Sequence, residues 1–196
     1  MGRIYKIMIL LLLLTSCLQE DHFNLDKQGE TLLALGAEIN QVAVTRVNDD
    51  GFCDGDAMGI YVVDYSGDQA GELKTSGNRA NNVRYTYDEA NNRWQGDYDV
   101  YYKDNKTPVD IYAYYPVGSP DNTSNYSFTV QQNQSGEGGN GELGGYEASD
   151  FLWGKATKVS PTDSRVMIKL NHIMSCVRVE LVEGEGFSAG EWSNLE

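Results

Sequence analysis

Val109 to Val117 reads VDIYAYYPV. Val109, Ile111, Ala113 and Tyr115 alternate with Asp110, Tyr112 and Tyr114. A period of two in β-branched and aromatic residues predicts a strand with one face buried. Pro116 ends it, because proline has no N–H to give to a ladder. Before it, Ala57 to Val63 (AMGIYVV) predicts a second strong strand. Val83 to Tyr87 and Arg93 to Gln95 form a hairpin around Asp88 to Asn92, and Tyr98 to Tyr102 leads into the central strand. Further upstream, Ile39 to Arg46 (INQVAVTR) predicts the first strand, with Val42 and Val44 on one face.

After Pro116 the sequence predicts a short strand at Tyr126 to Val130 and a return to the core at Asp150 to Gly154 (DFLWG). Arg165 to Leu170 places Val166, Ile168 and Leu170 inward, and Ile173 to Val182 places Val177, Val179 and Leu181 inward. Residues 64–82 predict a loop. Gln131 to Gly145 is polar and glycine-rich and cannot bury enough apolar surface to order itself. The expected class is all-β, a β-sandwich.

The 196 residues suffice for one domain with a sizeable core. Thirteen Tyr and 21 Gly against four Pro fit strands joined by glycine-rich turns. A formal charge of -14 argues against nucleic acid as a partner, because phosphate binding needs clustered Lys and Arg.

Residues 1–16 read as a lipoprotein signal peptide. Arg3 and Lys6 form a basic start, and Ile7 to Leu14 is an unbroken apolar run, short of the roughly 20 residues that span a bilayer. Leu14-Thr15-Ser16-Cys17 resembles the bacterial lipobox, which implies cleavage between Ser16 and Cys17 and a diacylglycerol on the Cys17 thiol. Several acyl chains anchor stably, each buried CH₂ contributing about 0.8 kcal/mol. Gln19-Glu20-Asp21 resembles the acidic tag that directs some lipoproteins to the outer face of the outer membrane; a solvated acidic patch is the alternative. Residues 17–36 then read as a polar tether, with one helical turn around Leu32, Leu33 and Leu35, and residues 37–196 as the folded domain.

Residues that carry chemistry are few. His22 and His172 are the two histidines, one in the tether and one in a strand connection, and no Ser/His/Asp spacing arises. His172 reads as a packed or hydrogen-bonded structural residue. Asp49, Asp50, Asp54 and Asp56 offer oxygen ligands for calcium but lack EF-hand spacing, so a solvated turn is the preferred reading. Gly136 to Gly145 lacks the lysine of a phosphate-binding loop. Cys53 and Cys176 form a disulfide or stay free, with no zinc spacing between them. No catalytic residue, cofactor or metal is expected.

Five stretches occur in a defined order: FCDGDAMGIYVV, a hairpin bearing Trp94, VDIYAYYPV, SDFLWGKAT and VMIKLNHIMSCVRVEL. Behind a lipobox, this order resembles the fimbrillin-like (Mfa-like) family of type V pilus lipoproteins, over about Ile39 to Val182. The resemblance implies a transthyretin-like β-sandwich of Greek-key type, anchored at the cell surface and joined to other fimbrial subunits by donor-strand exchange. In that family a protease cuts after an arginine between the first and second strands, and Arg46, followed by Val47, occupies the matching position. An ordinary strand-end arginine is the alternative. Family members usually carry a second domain, so a sequence ending at Glu196 is expected to hold an N-terminal domain incomplete at its C-terminus, either as a piece of a longer chain or as a short relative that does not polymerise in the usual way.

Two classes of function stay open. One is a structural or adhesive component of a fimbria. The other is a lipid-anchored binding module for host or bacterial surface ligands, glycans among them, which does not polymerise. Trp153 and Tyr112 separate the two: exposed together they mark binding, and buried they mark core.

Overall fold

The computed structural model describes residues 31–40, 51–134 and 143–175. Among these, eight strands form in chain order: β1 Leu35–Ile39, β2 Ala57–Ser66, β3 Gln69–Ala70, β4 Ala80–Asp88, β5 Arg93–Gly96, β6 Val109–Tyr115, β7 Leu152–Val159 and β8 Val166–His172. They are hydrogen-bonded in the order β1-β8-β7-β6-β2-β4-β5, with β3 on the end of β2. All pairs are antiparallel except β1 with β8, which is parallel. The architecture is all-β and of sandwich type.

The sheet turns a corner at β7 and β8. Only Leu152 and Trp153 of β7 pair with β8, opposite His172 and Asn171, before the two strands part. Gly154 allows this crossing, since a Cβ there would run into the Lys169 carbonyl oxygen. Folded over in this way, the sheet encloses Met58, Ile60 and Val62 of β2, Val109, Ile111, Ala113 and Tyr115 of β6, Leu152 of β7, and Ile168 and Leu170 of β8. Fully burying a residue of this size contributes about 1.5–3 kcal/mol.

The central strand lies where VDIYAYYPV predicts it, between β2 and β7, and ends at a cis Tyr115–Pro116 bond. Its second face differs from expectation: Asp110 and Tyr114 are buried as well. The β4–β5 hairpin also lies where expected. The Asp88 carboxylate accepts a hydrogen bond from the Asn91 N–H, capping a single 3-10 turn, and Asn92 closes it at φ 47°. Residues 64–82 are more ordered than the predicted loop, because they hold the end of β2, all of β3 and the start of β4. Tyr126 to Val130 is not a strand; its rings pack over the sheet instead. Residues 173–175 are not in a strand, and the remainder of Ile173 to Val182, with Cys176, lies outside the described residues.

The largest correction concerns the N-terminal segment. The first strand among the described residues is Leu35–Ile39, which ends where the expected strand begins, and Leu33 and Leu35 are buried core residues, not part of a tether or a helical turn. Leu33, Leu35 and Ala37 face inward at a period of two, and the segment finds main-chain partners on both flanks. Val42, Val44, Arg46 and Val47 lie outside the described residues, as do Ser16 and Cys17.

Candidate functional site: the first-strand slot and the outer aromatic face

Residues 31–40 are held by two parts of the chain far away in sequence. At the start, the Leu33 N–H donates to the Val100 carbonyl at 2.8 Å and the Tyr102 N–H donates to the Thr31 carbonyl at 3.0 Å. Further along, the Val166 N–H donates to the Ala34 carbonyl and the Asn40 N–H to the Leu170 carbonyl, both at 2.8 Å. The segment therefore bridges the chain just after β5 and the strand β8, and closes the sandwich. Side chains add to this. Leu33 and Leu35 are 2% and 3% exposed, and across the ladder Ala37 lies opposite Ile168 and Ile39 opposite Leu170.

In a parallel ladder, alternate residues turn both main-chain groups to the same neighbour. Gly36 and Glu38 face β8 in this register, so the main-chain groups of Leu35, Ala37 and Ile39 face the opposite side. A cleft opens there, lined by Ala37, Ile39, Phe52, Tyr87, Trp94 and Met167. Its wall is aromatic: Phe52 meets Trp94 edge-on at 4.8 Å and Tyr115 at 5.7 Å, and Tyr87 lies 5.3 Å from Trp94. The Trp94 Nε1 and the Tyr102 hydroxyl are buried without a hydrogen-bond partner among the described residues.

The outer face of the main sheet is partly roofed. Gly59 lets the Tyr114 ring lie across β2, since a Cβ there would collide with that ring. The Tyr114 hydroxyl donates either to the Asn82 side-chain oxygen at 2.7 Å or to the Gly118 carbonyl at 2.9 Å, and burial pushes its pKa up to about 12. Tyr126 and Phe128 close over it, each in ring contact with Phe151 at 5.7 and 4.9 Å.

Beyond this roof, Asp110 is 1% exposed and collects three partners: Lys155 Nζ at 2.7 Å, the Lys158 main-chain N–H at 2.9 Å and the Tyr65 hydroxyl at 2.9 Å. Burial alone would raise its carboxyl pKa; the three donors outweigh burial and hold it below the usual carboxylate range. Lys155 in turn sits 4.6 Å from the Tyr112 ring centre.

Two of the four carboxylates considered for calcium accept hydrogen bonds within the protein. Asp54 accepts from the Glu89 N–H, and Asp56 accepts from the Cys53 N–H and the Tyr115 hydroxyl. Asp49 and Asp50 lie outside the described residues. Cys53 is exposed. The His172 Nδ1 lies 2.9 Å from Asp150, joining the start of β7 to the end of β8. Of the two rings expected to discriminate between functions, Trp153 is 41% exposed and Tyr112 is half-buried beside it. Sequence reasoning missed the 31–40 segment and the Asp110 cluster; the alternation of Leu33, Leu35 and Ala37 was the available signal for the first.

The fimbrillin-like family matches the chain over residues 45–193. No curated protein matches. Among solved structures, a protein of Bacteroides uniformis described as a cell adhesion protein is 19% identical, covers 75% of this chain and 48% of its own, with a TM-score of 0.41. A protein of Bacteroides ovatus described in the same way is 18% identical, with coverages of 74% and 53% and a TM-score of 0.49. A fimbrial protein of Bacteroides ovatus is 18% identical, with coverages of 73% and 28% and a TM-score of 0.43. The chain thus spans about half of the first two and less of the third.

Proposed function

Because this chain belongs to the fimbrillin-like family, we propose that it is a surface lipoprotein that joins a fimbria by exchanging its first strand for one from a neighbouring subunit. Family membership supports a fimbrial or adhesion role. The observation that carries the finer reading is the position of residues 31–40. They fill a slot between β8 and Val100 to Tyr102, and they supply Leu33, Leu35 and Ala37 to the core. They lie upstream of Arg46 in the sequence, so a cut between Arg46 and Val47 would sever them from every other strand.

Their departure would leave unpaired strand edges and an apolar slot, a template for an extended segment of another chain. The exchange needs only main-chain donors and acceptors and alternate apolar side chains, which is what β1 provides now. Residues 1–16 serve as the signal peptide, and the Cys17 lipid holds the subunit at the outer membrane before processing. No catalytic chemistry enters this account.

Replacing Arg46 by Ala tests it in the native cell. The expected outcome is a full-length chain that starts at acylated Cys17 and is absent from sheared fimbriae. Normal incorporation of Arg46→Ala into fimbriae, with the N-terminal segment retained, would overturn the strand-exchange reading. The alternative, a binding module that does not polymerise, draws its support from the exposed Trp153.

A further inference from the structure

We propose that the outer face of β7 and β8 around Trp153 is a binding platform for a pyranose glycan. Phe151, just before β7, and Trp153 and Lys155 on it alternate onto the same outer face, and each has a different fate. Phe151 is covered by the rings of Tyr126 and Phe128. Lys155 is tied to the buried Asp110 at 2.7 Å. Trp153, between them, is 41% exposed and in ring contact with no aromatic residue among those described. The roof over the sheet therefore ends one position before the indole.

The surroundings of this indole select the ligand class. Asn171 lies directly opposite on β8, and its side-chain oxygen accepts from Asn40 Nδ2 at 2.8 Å, so its own N–H₂ takes no part in that bond. On the other side, Tyr112 pairs with Lys155 and Tyr114 with Trp153, so Tyr112 is the diagonal neighbour of Trp153 on the same face. Diagonal positions across a ladder lie about 7–8 Å apart, within reach of long side chains. Ile173, opposite Phe151 and 56% exposed, extends the apolar surface on one side; on the others the flat indole is bordered within one position by an amide, an ammonium and a phenol. A pyranose has the matching make-up: a C–H face that stacks on an aromatic ring and a rim of hydroxyls that exchange hydrogen bonds.

The platform is also held in place before any ligand arrives. Trp153 and Tyr112 stand on sheet strands, and Lys155 is fixed over Tyr112 by Asp110. Such rigidity reduces the ordering cost of binding. The platform meets the 31–40 segment at the Asn40–Asn171 hydrogen bond, so strand exchange would alter that border, while Trp153, Tyr112 and Lys155 stay on β6 and β7.

The test is a titration of ¹⁵N-labelled protein with hexamers of β-1,4-linked glucose, N-acetylglucosamine, galactose and mannose, each to about 10 mM. The chain has three tryptophans, Trp94, Trp153 and Trp192, so three indole N–H signals report. The expected result is a saturable shift of the Trp153 signal with at least one hexamer, while the signal of the buried Trp94 stays fixed. Trp153→Ala and Asn171→Ala are each expected to weaken binding at least tenfold, with a retained Trp94 signal showing that the fold persists. No shift with any of the four hexamers, or a shift that is undiminished in Trp153→Ala, would overturn the proposal.

Discussion

Asp110 shows how much one residue can hold together. Its carboxylate is buried against three donors from β2 and β7, so removing the charge leaves the Lys155 ammonium and the Lys158 N–H without their acceptor. Breaking a buried pair from one side costs about 3–5 kcal/mol, and Asp110→Ala is expected to fall near the lower end because Lys155 can reach water; urea unfolding measures it. The pH dependence follows from the direction of the shift. Its folded pKa is held below the unfolded value of about 3.9, so the contribution is complete above that value and is lost as pH falls through the folded pKa. The difference in stability between wild type and Asp110→Asn should therefore shrink from pH 7 to pH 3. A constant difference would contradict the assignment. Tyr102 is the opposite case, a buried hydroxyl without a partner among the described residues. Tyr102→Phe removes an unsatisfied group and is expected to raise stability by about 1 kcal/mol in the same assay. A loss of stability would show that the hydroxyl has an acceptor.

At the scale of elements, legibility in the sequence followed the distance to each partner. The central strand, the β4–β5 hairpin and β8 were readable because alternation and a local turn define them. Ile168 and Leu170 point inward at a period of two, as expected, and both are buried. The first strand carried only the short alternation of Leu33, Leu35 and Ala37 as a signal, because its partners are Val100 to Tyr102 and β8, both distant in sequence. Gly36 also interrupts the apolar run, while the β-branched residues just downstream draw the prediction toward Ile39 to Arg46. The burial of Asp110 was hidden for the same reason, since Tyr65, Lys155 and Lys158 are distant in sequence. The candidate platform was half legible: Trp153 and Tyr112 were named beforehand, whereas their polar border depends on the register of three strands. For the first strand, Leu35→Ala is expected to cost about 3 kcal/mol in urea unfolding. A synthetic peptide of residues 31–40 should bind the chain trimmed at Arg46, whereas a peptide with Leu33 and Leu35 both changed to Asn should not.

For the whole molecule, the strands form a sheet folded over on itself and closed by residues 31–40, whose covalent link to the later strands runs through residues 41–50. Most of the core belongs to β2, β4, β6, β7 and β8, which would remain after that segment leaves, while Leu33, Leu35 and Ala37 leave with it. A subunit opened in this way would keep its scaffold and gain a slot. The most direct measurement is the N-terminus and intact mass of each band obtained when material sheared from the native cell surface is run unheated in SDS. The account predicts a ladder of bands whose subunits begin at Val47. A single monomeric band that begins at acylated Cys17 would contradict it.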